Sequence, residues 1–123
     1  MRVLIVDDSS FIREYLRHLL GGMDIACEEA VDGSDALTLL AGEDAFDLML
    51  LDVNMPVMNG LECVKALRDA KLGPRMKVMM VTTEADHSFI ETALHNGADE
   101  FLMKPFTPES LREKMLLLGV IAA

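Results

Sequence analysis

Four short, unbroken apolar runs each end on a polar residue suited to phosphate or metal chemistry. Val3-Leu4-Ile5-Val6 ends on Asp7-Asp8, and Leu48-Met49-Leu50-Leu51 ends on Asp52. Val78-Met79-Met80-Val81 ends on Thr82-Thr83, and Phe101-Leu102-Met103 on Lys104-Pro105. A short run without polar alternation reads as a strand buried on both faces, and such strands belong to parallel sheets covered by helices. In an open parallel sheet, ligands bind outside the carboxyl ends of the strands. The pattern therefore brings three carboxylates, a hydroxyl and an ammonium to a single edge.

Helix-period segments separate these runs. Ile12, Tyr15, Leu16, Leu19 and Leu20 follow an amphipathic spacing that ends near Gly21-Gly22. Ile25 to Ala30 is a weaker strand, after which Asp32-Gly33-Ser34 opens a helix carrying Ala36, Leu37 and Leu40. A loop from Val53 to Met58 leads to Asn59, an N-cap with Glu62 as its capping-box partner, and to a helix carrying Leu61, Val64 and Leu67. Asp86 precedes a helix with Phe89, Ile90, Ala93 and Leu94 that stops at Asn96-Gly97. Thr107-Pro108-Glu109 reads as N-cap, proline at N1 and an acidic first turn, opening a helix with Leu111, Met115 and Leu118. Five strands alternating with five helices predict a doubly wound α/β fold with a five-stranded parallel sheet. The first strand is placed centrally because its flanking segments are the most apolar, which suggests the order 2-1-3-4-5.

The 123 residues suffice for one domain with one core, spanning residues 1–123. No apolar run approaches the ~18 residues of a membrane span. The chain opens directly on a strand-like run with no signal peptide, so a cytoplasmic location is expected. Cys27 and Cys63 read as reduced, part-buried thiols. The net charge of −10 argues against direct nucleic-acid binding and fits a divalent cation and basic partner patches. His18, His87 and His95 share no metal-ligand spacing, and Glu28-Glu29 and Glu43-Asp44 read most simply as solvated faces. The methionines fall mostly inside apolar runs, as core filling would place them. The final Ala122-Ala123 fits a true terminus and equally a cut before a further domain.

Three negative charges at adjacent strand ends are costly unless a cation sits among them. All-oxygen ligands with room for water suit Mg²⁺ over Ca²⁺. The plainer alternative is that Asp7-Asp8 cap the first helix; one aspartate explains a cap, but two facing a third do not. Lys104 can reach back over the edge to an anion beside the metal, and its bond to Pro105 is a candidate for the cis form. A metal, a lysine and a threonine around one carboxylate make a phosphoryl-transfer site, with Asp52 placed as the nucleophile. There is no P-loop and no dinucleotide fingerprint, so the phosphoryl group must arrive already activated on a donor.

Asp7-Asp8, Asp52 within Leu50-Leu51-Asp52-Val53-Asn54-Met55-Pro56-Val57-Met58-Asn59-Gly60, Thr82, and Lys104-Pro105-Phe106 together resemble the bacterial two-component response-regulator receiver domain. The resemblance covers essentially the whole chain and implies a flavodoxin-like, CheY-like fold. It implies that Asp52 is the phosphoacceptor charged by a sensor histidine kinase. Asp8 would bind Mg²⁺ directly and Asp7 through water, with the main-chain carbonyl of Asn54 completing the protein's share. Thr82 would hydrogen-bond the phosphoryl group, Lys104 would pair with it, and Phe101 would be the aromatic switch. Phe101 stands where many receivers have tyrosine, which excludes recognition through a hydroxyl there. Asn54 and Glu84, and the lack of a second domain, are similar to the single-domain chemotaxis regulators. The face built from the fourth helix, fifth strand and fifth helix carries His87, Ile90, Phe101, Met103, Phe106 and Lys114. In receivers this face commonly meets an output protein, such as the flagellar motor or another regulator, or a second copy. The same apolar residues also fit plain core spacing.

Two other readings stand beside the signalling switch, which would not be an enzyme. One is an aspartyl-phosphate hydrolase, which needs an acid where Asn54 stands. The other is the receiver half of a DNA-binding regulator, which the apolar ending Leu116-Leu117-Leu118-Gly119-Val120-Ile121 disfavours.

Overall fold

Strand and helix alternate without interruption in the computed structural model, which describes residues 1–42, 45–83 and 87–122, the His87 side chain excepted. The order is β1 (Arg2–Val6), α1 (Ser10–Gly21), β2 (Ala26–Ala30), α2 (Gly33–Leu40), β3 (Leu48–Asp52), α3 (Gly60–Asp69), β4 (Lys77–Thr82), α4 (His87–Asn96), β5 (Glu100–Met103) and α5 (Pro108–Leu118). All strand pairs are parallel, and the sheet runs β2-β1-β3-β4-β5. β1 is internal, but the middle position belongs to β3, whose five residues are all buried. The apolarity of the first run signals an internal strand, not the centre.

The period of two along each strand divides the core into two layers. Leu4, Val6, Met49, Leu51, Val78 and Met80 face one way, against α2, α3 and α4. Val3, Ile5, Leu48, Leu50, Met79 and Val81 face the other, against α1 and α5. Both faces of the sheet are thus covered, which is why the strands carry no polar alternation.

The helix ends follow local chemistry. Asp32 caps α2, and Asn59 caps α3 in a capping box with Glu62. Thr107 caps α5 with Pro108 in its first turn, and Ser110 completes a second capping box. Gly97 follows α4 at φ +113°, a conformation that suits glycine. Both cysteines are free thiols; burial raises Cys27 and pushes buried Cys63 up to about 11. Among the described residues no helix is long and apolar enough to cross a membrane. The readings of Glu43-Asp44, Glu84, the Asp86 cap, the His87 side chain and Ala123 lie outside the described residues.

Candidate functional site

Asp7 and Asp52 meet because β1 and β3 are neighbours. Val6 is in register with Leu51, so the next residue of each strand ends on the same edge. Asp7, Asp8 and Asp52 each offer a carboxylate oxygen, and these oxygens lie within 4.8 Å of one another. Asp7 and Asp52 are buried, whereas Asp8 is exposed. Neither Asp7 nor Asp8 is the N-cap of α1. Ser9 takes that position, with its side chain accepting from the Ile12 N–H. Asp7 Oδ1 instead accepts the Ser9 N–H at 2.8 Å.

Lys104 ties the two buried acids together. Its Nζ lies 3.3 Å from Asp7 Oδ2 and 3.2 Å from Asp52 Oδ1. Its backbone N–H donates to the Thr82 carbonyl, and the following Lys104-Pro105 bond is cis. Asp52 Oδ1 also accepts the Val53 N–H at 2.9 Å. Burial raises the Asp52 pKa, and the Asp7 charge raises it further against the opposing pull of Lys104. For Lys104, burial acts downward, but the two carboxylates outweigh it and its pKa rises. With three carboxylates around one ammonium, the cluster keeps an excess of negative charge, which fits an added divalent cation. An all-oxygen donor set with one exposed member suits a hard ion that retains water.

The other edge residues converge on the same place. Thr82 is buried at the end of β4, the strand next to β3. Asn54 is exposed in the loop that follows Asp52. That loop is held against the start of α3: the Gly60 N–H donates to the Val53 carbonyl at 2.8 Å. A Cβ on Gly60 would overlap the Asp52 carbonyl oxygen and stand 2.9 Å from Val53 Cα, so only glycine allows this approach.

The family profile for the response regulator receiver domain matches residues 3–116. The chain belongs to the response regulator receiver family. Its relatives include a chemotaxis protein CheY homolog of Campylobacter jejuni, 41% identical over 118 residues, covering 94% of this chain and 89% of that one. Chemotaxis protein CheY1 of Helicobacter pylori is 37% identical, covering 97% and 98% of the two chains. Among solved structures, the Vibrio cholerae chemotaxis protein CheY4 superposes with a TM-score of 0.87 at 39% identity, covering 98% of both chains. This receiver is therefore a two-component switch domain homologous to chemotaxis regulators, with an acidic pocket of the kind that accepts phosphorylation. Receivers are signalling phosphoacceptors rather than ordinary enzymes, and they serve between histidine kinases and output partners.

The receiver's expected partner face is only partly assembled. Ile90, Glu100, Phe101, Met103, Ser110 and Lys114 line one groove between α4, β5 and α5. Phe101 is half-buried and meets Phe89 of α4 edge-on at 6.3 Å, while Lys114 pairs with Glu100 at 3.1 Å. Phe106 is not brought to this groove. It stacks on Tyr15 of α1 at 5.8 Å and packs into the layer under α1 and α5. The loop after the Lys104-Pro105 bond carries it to the opposite face of the sheet from Phe101. His18 and His95 are exposed.

Several organising residues were not signalled by the motifs. Glu28 and Glu29 are half-buried and ion-paired instead of freely solvated: Glu28 holds Arg2, and Glu29 holds both Arg13 and Arg17 of α1. Adjacent residues of a strand face opposite sides, so at least one of the pair had to meet a helix. Arg68 of α3 donates to the carbonyls of Gly97, Gly73 and Met76 and to Asp99, joining two loops at the far edge of the sheet. No short-range pattern marks that arginine, because Gly97 and Asp99 lie 29 and 31 residues away and its nearer partners are main-chain carbonyls that carry no sequence signal.

Proposed function

We propose that Asp52 accepts a phosphoryl group from a sensor histidine kinase, and that the change is read by an output protein at the α4-β5-α5 groove. The supporting observation is the charge arrangement. Lys104 bridges Asp7 and Asp52, while Asp8 is left exposed beside them. Asp7, Asp8, Asp52 and the Asn54 carbonyl would hold Mg²⁺, Asp7 through water. When bound, the ion would offset charge on the carboxylates and on the phosphoryl oxygens.

Asp52 Oδ1 accepts from Lys104 and the Val53 N–H, which favours attack by Oδ2. That oxygen forms a bond to phosphorus as the phosphorus–nitrogen bond to the kinase histidine breaks, giving an acyl phosphate on Asp52. The departing imidazole nitrogen keeps the bond's electron pair and takes a proton from solvent. Lys104 is positioned to turn from the carboxylates to the new phosphoryl oxygens. Thr82 would move to hydrogen-bond one of them, and Phe101 would then close into the space beside β4. Asn54, two residues after Asp52, has no proton to give a leaving group, which favours a switch over a hydrolase. Likeness to chemotaxis proteins supports a chemotaxis pathway, with a flagellar motor component or a further regulator as the partner.

The test is direct. With phosphoramidate and Mg²⁺, intact mass should show one added phosphoryl group, mapped to Asp52. Asp52→Asn should take up none at an aspartate, and EDTA should suppress uptake in the parent protein. Full-rate labelling of another aspartate would overturn the assignment.

A further inference from the structure

Every polar atom of Asp7 is held by a different part of the fold. Its N–H donates to the Ala30 carbonyl, Oδ1 accepts from Ser9, and Oδ2 meets Lys104. Its carbonyl oxygen accepts from Arg13 Nη1 at 2.6 Å. That carbonyl belongs to the peptide joining the two acids, and the peptide is planar. Fixing its oxygen fixes the direction in which the exposed Asp8 leaves the strand.

Arg13 is itself constrained. Its Nε donates to Glu29 Oε1 at 3.0 Å, and Arg17 occupies Glu29 Oε2 at 2.7 Å. A guanidinium presents its donors in a rigid planar fork, so seating Nε on Glu29 aims Nη1 at the carbonyl. It also keeps the positive charge from swinging onto the exposed Asp8, where it would compete with a cation.

Resting on the Mg²⁺ reading above, we propose that Arg13, anchored by Glu29, is a positioning residue for the cation: it pins the Asp7-Asp8 peptide so that the carboxylates converge. The alternative is that Arg13, Glu29 and Arg17 merely staple α1 to β2.

The two accounts differ in sign. Removing a positive charge near acids strengthens cation binding by Coulomb attraction alone. Arg17→Met removes such a charge and half of the staple without touching Asp7. Arg13→Met also removes the pin. Mg²⁺ titration of the unphosphorylated protein, followed by the Asp8 and Ser9 amide shifts, should show Arg13→Met weakened by about tenfold, as losses around metal ligands commonly produce. Arg17→Met should bind as the parent does, or more tightly. Saturating Mg²⁺ should restore most of the phosphoramidate uptake of Arg13→Met. If Arg13→Met disturbs the overall amide spectrum, Arg13→Lys replaces it; it keeps the charge but cannot serve Glu29 and the carbonyl through one fork, so its affinity should also fall. Unchanged or tighter Mg²⁺ binding in a folded Arg13 variant, or an equal loss in Arg17→Met, overturns the proposal. Failure of the parent protein to bind Mg²⁺ or take up phosphate would instead overturn the reading on which it rests.

Discussion

Burial and the neighbouring Asp7 carboxylate raise the Asp52 pKa above its ordinary 3.8, with Lys104 compensating only in part. A carboxyl whose folded-state pKa is raised ionises more easily in the unfolded chain, so its ionisation weakens the fold as pH rises through the folded value. In EDTA, Asp52→Asn should therefore unfold at a higher temperature than the parent near pH 7. The difference should shrink on acidification and vanish below the ordinary 3.8, where Asp52 becomes protonated in both states. Thermal melts across that range check the sign; a gap that widens in acid would contradict it. Val57 is a second residue under local stress. It sits at φ +70° in the loop after Asp52, and it is 88% exposed, so no packing repays the strain of a β-branched side chain there. Val57→Asn should stabilise the protein by about 1 kcal/mol, seen as a melting-temperature rise of roughly 3–5 °C.

The start of α3 connects helix geometry to chemistry. Asn59 and Glu62 satisfy the first amides of the helix, and Gly60 lets that turn lie directly against the Asp52 backbone. Asn59→Ala removes the cap only and should cost about 1 kcal/mol with phosphoramidate uptake nearly unchanged. Gly60→Ala forces the Asp52 loop outward, so uptake should fall several-fold even at temperatures where both variants are fully folded. Equal uptake in the two folded variants would show that the close approach serves stability alone. The α3 cap was legible because its two partners lie three residues apart. The demand for glycine at position 60 was not legible, since it arises from a carbonyl on a strand eight residues earlier.

Across the molecule, cation binding should appear as stability. Mg²⁺ of millimolar to submillimolar affinity, the weak end for oxygen sites, present at about 10 mM, should add about 1.4–2.7 kcal/mol by mass action. Melting temperature should rise with Mg²⁺ in the parent protein and not in Asp8→Ala. A rise that survives in Asp8→Ala would place the ion elsewhere.

Sequence alone determined the parts that depend on neighbours within a few residues. Unbroken apolar runs set the strands, helical spacing set the faces of α1 and α5, and Asp32, Asn59 and Thr107 set helix starts. Strict alternation then required a parallel sheet, and a parallel sheet required the acids to share an edge. Tertiary structure alone decided which long-range partners meet. Lys104 reaches residues 97 and 52 positions away, and Phe106 turns toward Tyr15 while Phe101 faces Phe89. Arg13 and Glu29 found each other, and the Asp7 carbonyl, across α1 and β2. Periodicity and capping are written into a local stretch of chain, whereas the direction of a loop and the reach of a long cationic side chain depend on where the crossovers deliver their partners.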